Sequence, residues 1–335
     1  YNRKTRLVWM FPMSANLVEG SFFQPLYQML SNAHLSFLAP WAGFEDVRQH
    51  VSLCYTHPGI IKGVSASDFS KTDEHFRLAA TMEVYDVLAS CFQPRFRDLL
   101  KESLQYMHTI PLIVGVDKMI EGEHGVSSGS NWTNFVETIF DWIFSRFVRR
   151  VYEGGRAVSG LYAIGDDMAW VHYNQFREDL PEVLGNLGKS VGQEINPEKV
   201  SNDPDKVVTL QRLFVRGYVR PDGTTRAVYP TIRALKSLVY PERFHKPALW
   251  SKDMEAIRAF MILENCVDHP LFEAFCKFVA AGDPYLKVFA NKSVQEQQKL
   301  HRASKLIPGL TSTYNQEKRD QALETFASVK LIASL

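Results

Sequence analysis

The sequence predicts an α+β fold on three observations. Apolar runs flank Gly165-Asp166-Asp167 within residues 161–171 and read as strand, tight turn, strand, with Gly165 relaxing the backbone and two carboxylates left at the tip. Residues 60–68 read as a strand that passes straight into apolar residues at helical spacing. Beyond about Pro247 the pattern is helical. The 335 residues, 45% hydrophobic and 22% charged, suit a globular protein with room for two or three subdomains and exclude disorder and fibre.

The first residues, Asn2-Arg3-Lys4-Thr5-Arg6-Leu7-Val8-Trp9-Met10-Phe11-Pro12, place three cations before a strand-like apolar run. Clustered cations suit polyphosphate, and they suit a solvated edge equally well. Because the chain opens on Tyr1 inside this basic segment, it reads as a piece of a longer polypeptide. Residues 14–57 are helical in pattern and carry no chemical signal. Asp68 and Asp73 then close a strand-like stretch, and Phe76, Ala80, Val84, Val87, Leu88 and Cys91 follow at helical spacing, so both acids sit at a strand-to-helix junction.

Residues 122–130 form a Gly/Ser loop that feeds a helix whose Val136, Ile139, Phe140, Ile143 and Phe147 share an apolar face. Such a loop can approach a backbone or phosphate closely, but it lacks the Gly-Lys-Ser/Thr ending of a nucleotide P-loop. After the Gly-Asp-Asp hairpin the pattern predicts a helix near 176–187. Strand-like residues 207–214 and 218–219 follow, with a Pro221-Asp222-Gly223 turn into a strand over 226–229. In the tail, Met254, Ile257 and Met261 repeat at helical spacing. Leu271, Phe275, Phe278 and Val279 do the same before Gly282 as C-cap.

Net charge is +1, so any nucleic-acid contact has to come from a local groove lined with Lys and Arg. Cys54, Cys91, Cys266 and Cys276 lack CxxC spacing, which argues against a zinc site or disulfide framework, suits a reducing compartment and leaves them as buried apolar residues. With no run of 18 apolar residues and no signal-peptide pattern, no membrane crossing is expected. The chemistry rests on the hairpin. Two acids on a rigid tip can hold a hard divalent cation such as Mg²⁺, which takes oxygen ligands and would draw on a further acid and a phosphate-bearing substrate. A solvated turn is the bland reading of the same residues.

The order of these parts, a strand ending in Asp68, a Gly/Ser loop opening a helix, and a hairpin tipped by Asp166 and Asp167, resembles the viral RNA-dependent RNA polymerases, and among them the picobirnavirus and partitivirus group of double-stranded RNA viruses. Arg-Lys-Thr-Arg-Leu-Val-Trp-Met-Phe-Pro resembles motif F, Asp-Phe-Ser-Lys-Thr-Asp motif A, Ser-Gly-Ser-Asn-Trp-Thr-Asn motif B and Gly-Asp-Asp motif C. Asn-Pro-Glu-Lys and Leu-Gln-Arg-Leu resemble motifs D and E more weakly. The likeness runs from residue 2 to about 220, and motifs A, B and C together carry its specificity.

The resemblance implies a right-handed polymerase fold. It would comprise a fingers portion over 1–59, a palm with an antiparallel sheet over 60–235 interrupted by a fingers segment near 90–120, and a helical thumb over 236–335. It implies RNA-templated RNA synthesis, with Asp68, Asp166 and Asp167 binding two Mg²⁺ ions, Mn²⁺ being a substitute. Asp73 would read the ribose. Ser128, Gly129, Thr133 and Asn134 would hold template and sugar, and Arg3, Lys4 and Arg6 the incoming triphosphate. Lys199, or else Lys189, would protonate the departing pyrophosphate. Glu137 stands where many positive-strand relatives carry Asn. The implied partners are RNA template and product, NTPs and a viral capsid protein, in a virion interior or host cytoplasm. Other readings are a reverse transcriptase or a catalytically silent RNA-binding or capsid-associated module. The former more often shows Tyr-x-Asp-Asp and an aromatic gate near Asp73, and intact acids argue against the latter.

Overall fold

The computed structural model describes residues 8–56, 59–153, 155–241, 246–310 and 316–335. The chain divides into two compact units, one of residues 1–39 and 57–207, the other of residues 40–56 and 208–335.

The first unit is built on a four-stranded antiparallel sheet. Its strands are β1 (Ile61–Asp68), β2 (Val158–Ile164), β3 (Asp167–Tyr173) and β4 (Ser201–Asp203), in the order β2-β3-β1-β4. β1 is central and buried from Gly63 to Ser67, which explains why it reads as a run of small and apolar residues rather than a strict alternation. Its buried serines are satisfied: Ser67 Oγ accepts from Trp170 Nε1 at 2.9 Å. The helix Trp132–Val151, called α1 below, packs on β2 and buries Phe135, Val136, Ile139, Phe140, Phe144 and Val148. Phe69 meets Phe140 and Phe144, Phe76 meets Phe140, and Trp170 meets Phe144 edge-on or tilted, with centroids 5.0–6.2 Å apart, which packs these rings into one aromatic cluster.

Most predicted elements recur with local corrections, but the strand-like run before Pro12 is not a strand over its described residues 8–11. The helix expected near 176–187 spans Leu180–Ser190: Pro181 is pre-set for a first turn, while Phe176 stays outside and stacks on His172 at 4.4 Å. The run 207–214 is two strands, Lys206–Thr209 and Arg212–Val219, because Leu210 and Gln211 take left-handed φ of 45° and 65° and turn the chain. Val87 and Cys91 are exposed, so three of the four cysteines are buried rather than all. Asp283, one residue past Gly282, caps Phe272–Gly282.

The second unit joins Arg212–Val219 and Thr225–Val228, paired antiparallel across the Gly223 turn, to a set of helices. Ile257, Phe260, Leu286, Phe289, Phe326 and Ile332 sit at the centre of its core. Leu271 and Phe278 fall at the right spacing but are 59% and 65% exposed; on Phe272–Gly282 it is Phe275 and Cys276 that point inward. Among the described residues, no helix is long and apolar enough to cross a membrane.

Candidate active site

The hairpin between β2 and β3 is as tight as its sequence suggests. Ile164 pairs with Asp167, leaving Gly165 and Asp166 as a two-residue loop, and Gly165 has φ +58° at the first loop position, where such hairpins take glycine. Across the sheet Asp167 is also the register partner of Asp68, the last residue of β1. The strand pairing therefore brings the acids expected from motifs A and C together at one end of the two inner strands. The Phe69 N–H donates to the Asp166 carbonyl at 3.4 Å, and the Thr72 hydroxyl donates to Asp166 Oδ2 at 3.2 Å. Thr72 follows Lys71, held at φ +53° at the start of the short helix Thr72–His75 that also carries Asp73.

Electrostatically the site is a concentration of negative charge. Burial, then Asp166 and Asp68, raise the Asp167 carboxyl to about 7. Below it, on α1, Glu137 is raised well above the carboxylate range by burial and by Asp166 and Asp73. Asp141, fully buried, is raised by burial and then by Asp166, Glu137, Asp167 and Asp68, and neither of its carboxyl oxygens has a hydrogen-bond partner among the described residues. Carboxyls crowded to this degree favour protonation or a cation. The donors are all oxygen, which suits Mg²⁺ or Mn²⁺. Among the described residues no three such side chains converge on one point, so an ion held here would draw further oxygen ligands from water or a phosphate-bearing substrate.

The Gly/Ser loop comes close to backbone, as its composition suggests. A Cβ on Gly125 would lie 2.0 Å from the Asp73 carbonyl oxygen, and one on Gly129 would lie 2.2 Å from that of Trp9. Ser128 Oγ accepts the Trp9 N–H at 3.2 Å, and the Trp9 ring stacks on His124 at 4.4 Å. Thr133 donates to the Ser127 carbonyl at 2.7 Å, which ties the loop to the first turn of α1. The Asn134 side chain lies against the hairpin glycine, its Nδ2 2.7 Å from where a Gly165 Cβ would stand. Of the expected basic strand, Arg3, Lys4 and Arg6 lie outside the described residues. Lys189 is exposed in the last turn of Leu180–Ser190. Lys199 is exposed at the end of a one-turn 3₁₀ segment, Pro197–Lys199, capped by Asn196 Oδ1 accepting the Glu198 N–H at 3.0 Å.

The family model described as viral RNA-dependent RNA polymerase matches residues 2–278. The chain belongs to that family. A potential RNA-dependent RNA polymerase of human picobirnavirus (strain Human/Thailand/Hy005102/-) is 30% identical over 288 residues, 84% of this chain and 51% of the relative. The chain thus spans about half the length of this curated relative. The crystal structure of the RNA-dependent RNA polymerase of a human picobirnavirus superposes with a TM-score of 0.83 at 26% identity, over 99% of this chain and 62% of that one. A Sicinivirus 3Dpol RNA-dependent RNA polymerase shares the fold at TM-score 0.61 and 15% identity, over 83% and 58% of the two chains. The fold of this polymerase-family chain is therefore the right-handed α+β polymerase fold, of the picobirnavirus-like kind.

Three supporting residues escaped the sequence reading. Thr72 and Thr138 each reach the hairpin tip through one hydroxyl. Glu19, 2% exposed on the helix Met13–Asn32, accepts from Ser130 Oγ at 2.7 Å and the Asn131 N–H at 2.8 Å, supplying the carboxylate that the N-terminus of α1 needs. The partner lies 111 residues away for Glu19, so no local pattern announces it.

Proposed function

We propose that this chain is the catalytic part of a polymerase that transfers a nucleoside monophosphate from NTP to the 3′ end of an RNA strand on an RNA template. The O3′–Pα bond forms and the Pα–O–Pβ bond breaks, with pyrophosphate leaving. The observation that carries the reading is the register of Asp68 with Asp167 at a hairpin whose Asp166 carboxylate is held by Thr72. Asp68, Asp166 and Asp167 would hold two Mg²⁺ ions, or Mn²⁺ in their place. Bound there, the ions would lower the pKa of the attacking hydroxyl and offset charge on the triphosphate.

The protein's own task is positioning. Asp73, beside the Gly125 loop, would accept a hydrogen bond from the ribose 2′-hydroxyl, and Ser128, Gly129, Thr133 and Asn134 would frame sugar and template. Arg3, Lys4 and Arg6 would grip the triphosphate. Lys199 would give pyrophosphate its proton, its exposed stem free to swing from the capped turn, with Lys189 the competitor. In this reading residues 60–235 form the palm, 1–59 and 90–120 contribute to the fingers, and 236–335 form the thumb. The substrates are RNA and NTPs, the partner is a viral capsid protein, and the setting is a virion interior or host cytoplasm.

The test is incorporation of labelled NTP on defined RNA templates by the complete polypeptide that contains this chain. Asp166→Ala or Asp68→Ala removes a ligand worth several kcal/mol of transition-state charge stabilisation and abolishes synthesis with the fold intact. Near-normal turnover by a folded Asp166→Ala protein would rule the assignment out.

A further inference from the structure

The hairpin tip has a second anchor, on the face of α1 beneath it. Asn134, Glu137, Thr138 and Asp141 are spaced three and four apart and so share one face of the helix. Thr138 is fully buried, and its Oγ1 donates to the Asn134 carbonyl at 2.6 Å. That commits the hydroxyl proton to the helix and leaves an oxygen lone pair to accept the N–H of Gly165 at 2.9 Å. Gly165 sits in the loop of a hairpin closed by the Ile164–Asp167 pair, so its buried N–H needs a partner from outside the hairpin. A β-branched residue suits the task, because its χ1 is stiff in a helix and holds the acceptor at one height.

Resting on the proposed polymerase reading, we propose that Thr138 is a positioning residue that sets where the Asp166 and Asp167 carboxylates stand, through its hydrogen bond to the Gly165 N–H. Asp166 is thereby fixed from two sides, at its side chain by Thr72 from the segment after β1 and through the N–H of the preceding residue, Gly165, by Thr138 from α1. A purely structural threonine would contribute through its methyl group and its burial. A positioning one contributes through its oxygen. Thr138→Val keeps the shape and removes the acceptor, so the buried Gly165 N–H has to move toward another partner and carries the tip with it. Displacements of about 1 Å at a reacting centre cost on the order of 10²-fold in rate.

The experiment compares single-nucleotide incorporation by the complete polypeptide carrying Thr138→Val, Thr138→Ser or Asp166→Ala with the unaltered protein, alongside thermal melting. Thr138→Val lowers kcat by about 10- to 100-fold with KM for NTP changed less than about threefold, and Thr138→Ser, which keeps the hydroxyl, stays within about threefold of the unaltered rate. Unaltered kcat for Thr138→Val, with Asp166→Ala inactive, overturns the role of Thr138 and leaves the polymerase reading standing. Normal incorporation by Asp166→Ala overturns the polymerase reading itself. If Thr138→Val melts too early to assay, Thr138→Ser and Thr138→Ala are compared below both transitions, and equal rates for the two overturn the proposal.

Discussion

A methyl group at Gly125 has nowhere to go. Its carbon would stand 2.0 Å from the carbonyl oxygen of Asp73 and 3.1 Å from that of Glu74, both backbone atoms that cannot rotate aside. Gly125→Ala therefore pushes the helix Thr72–His75 off the Gly/Ser loop, and overpacking of this kind costs roughly 1–3 kcal/mol. Gly20, in the helix Met13–Asn32, meets nothing closer than the far end of Gln24 at 3.9 Å, so Gly20→Ala is neutral or stabilises by up to about 1 kcal/mol. Denaturation midpoints of the two variants check the contrast; equal midpoints would show that the loop yields freely. The acids were legible because Gly-Asp-Asp and the spacing of Asp68 and Asp73 are local patterns. Glu19 and Thr138 were not, since each meets its partner only after the chain has folded back over 111 and 27 residues.

Between elements, β1 and β4 are joined by a polar chain centred on the buried His172. The Arg177 N–H donates to His172 Nδ1 at 3.1 Å, which makes Nε2 the protonated nitrogen and donor to Ser65 Oγ at 2.7 Å. Ser65 in turn donates to Asn202 Oδ1 at 2.5 Å, and Asn202 Nδ2 donates to the carbonyls of Arg177 and Glu178 at 3.2 and 3.3 Å. His172 accepts at Nδ1 and donates at Nε2, so the chain works only with a neutral imidazole. Burial, then the charge of Arg177, pushes His172 down to about 4, with Asp179 opposing weakly. The unfolded chain takes up this proton below its ordinary value of 6.5 and the folded chain does not. The stabilisation is therefore complete above about pH 6.5 and is lost as pH falls toward 4, about 2 kcal/mol of it by pH 5. Urea unfolding at pH 7.5 and pH 5.0 should show a larger drop for the unaltered protein than for His172→Gln; identical drops would exclude the histidine as the cause. Of the strands in this network, β1 and β3 were legible from apolar runs, whereas the polar three-residue β4 was not. Its connections were not, because a serine in a strand and a histidine 107 residues later carry no shared periodicity.

Across the whole molecule the chain is not compact in chain order. Residues 40–56 belong with 208–335, and buried charged contacts join them alongside apolar ones such as Phe44 against Phe214. Arg48, with no exposed surface, pairs with Glu45 and Glu317 and reaches Asp268 at 3.5 Å, 220 residues away. Arg220 grips both Asp268 oxygens at 2.7 and 2.9 Å, the Ala227 N–H donates to Oδ2 at 3.0 Å, and buried Arg212 donates to the Asn265 carbonyl at 2.7 Å. The guanidiniums of Arg48 and Arg212 lie 5.2 and 4.1 Å from the centroid of the Phe44 ring, close enough for cation–π attraction. A sequence pattern built on apolar periodicity registers none of this, since Arg48 and Asp268 look like ordinary surface residues in their own segments. Their energies differ from surface pairs for the same reason. Asp268, 1% exposed, is itself shielded from water and faces the fully buried Arg48 as well as Arg220, and removing one partner of a buried pair costs about 3–5 kcal/mol, whereas the exposed Arg319–Asp320 pair is worth about 0–1 kcal/mol. Asp268→Ala should accordingly lower the stability of the second unit by about 3–5 kcal/mol, with amide exchange accelerating across Arg212–Val219 and Thr225–Val228, while Asp320→Ala leaves both within error. Equal effects of the two substitutions in urea unfolding and hydrogen exchange would mean that the cluster contributes no more than its solvated counterparts, and that the apolar core around Phe260 holds the unit together without it.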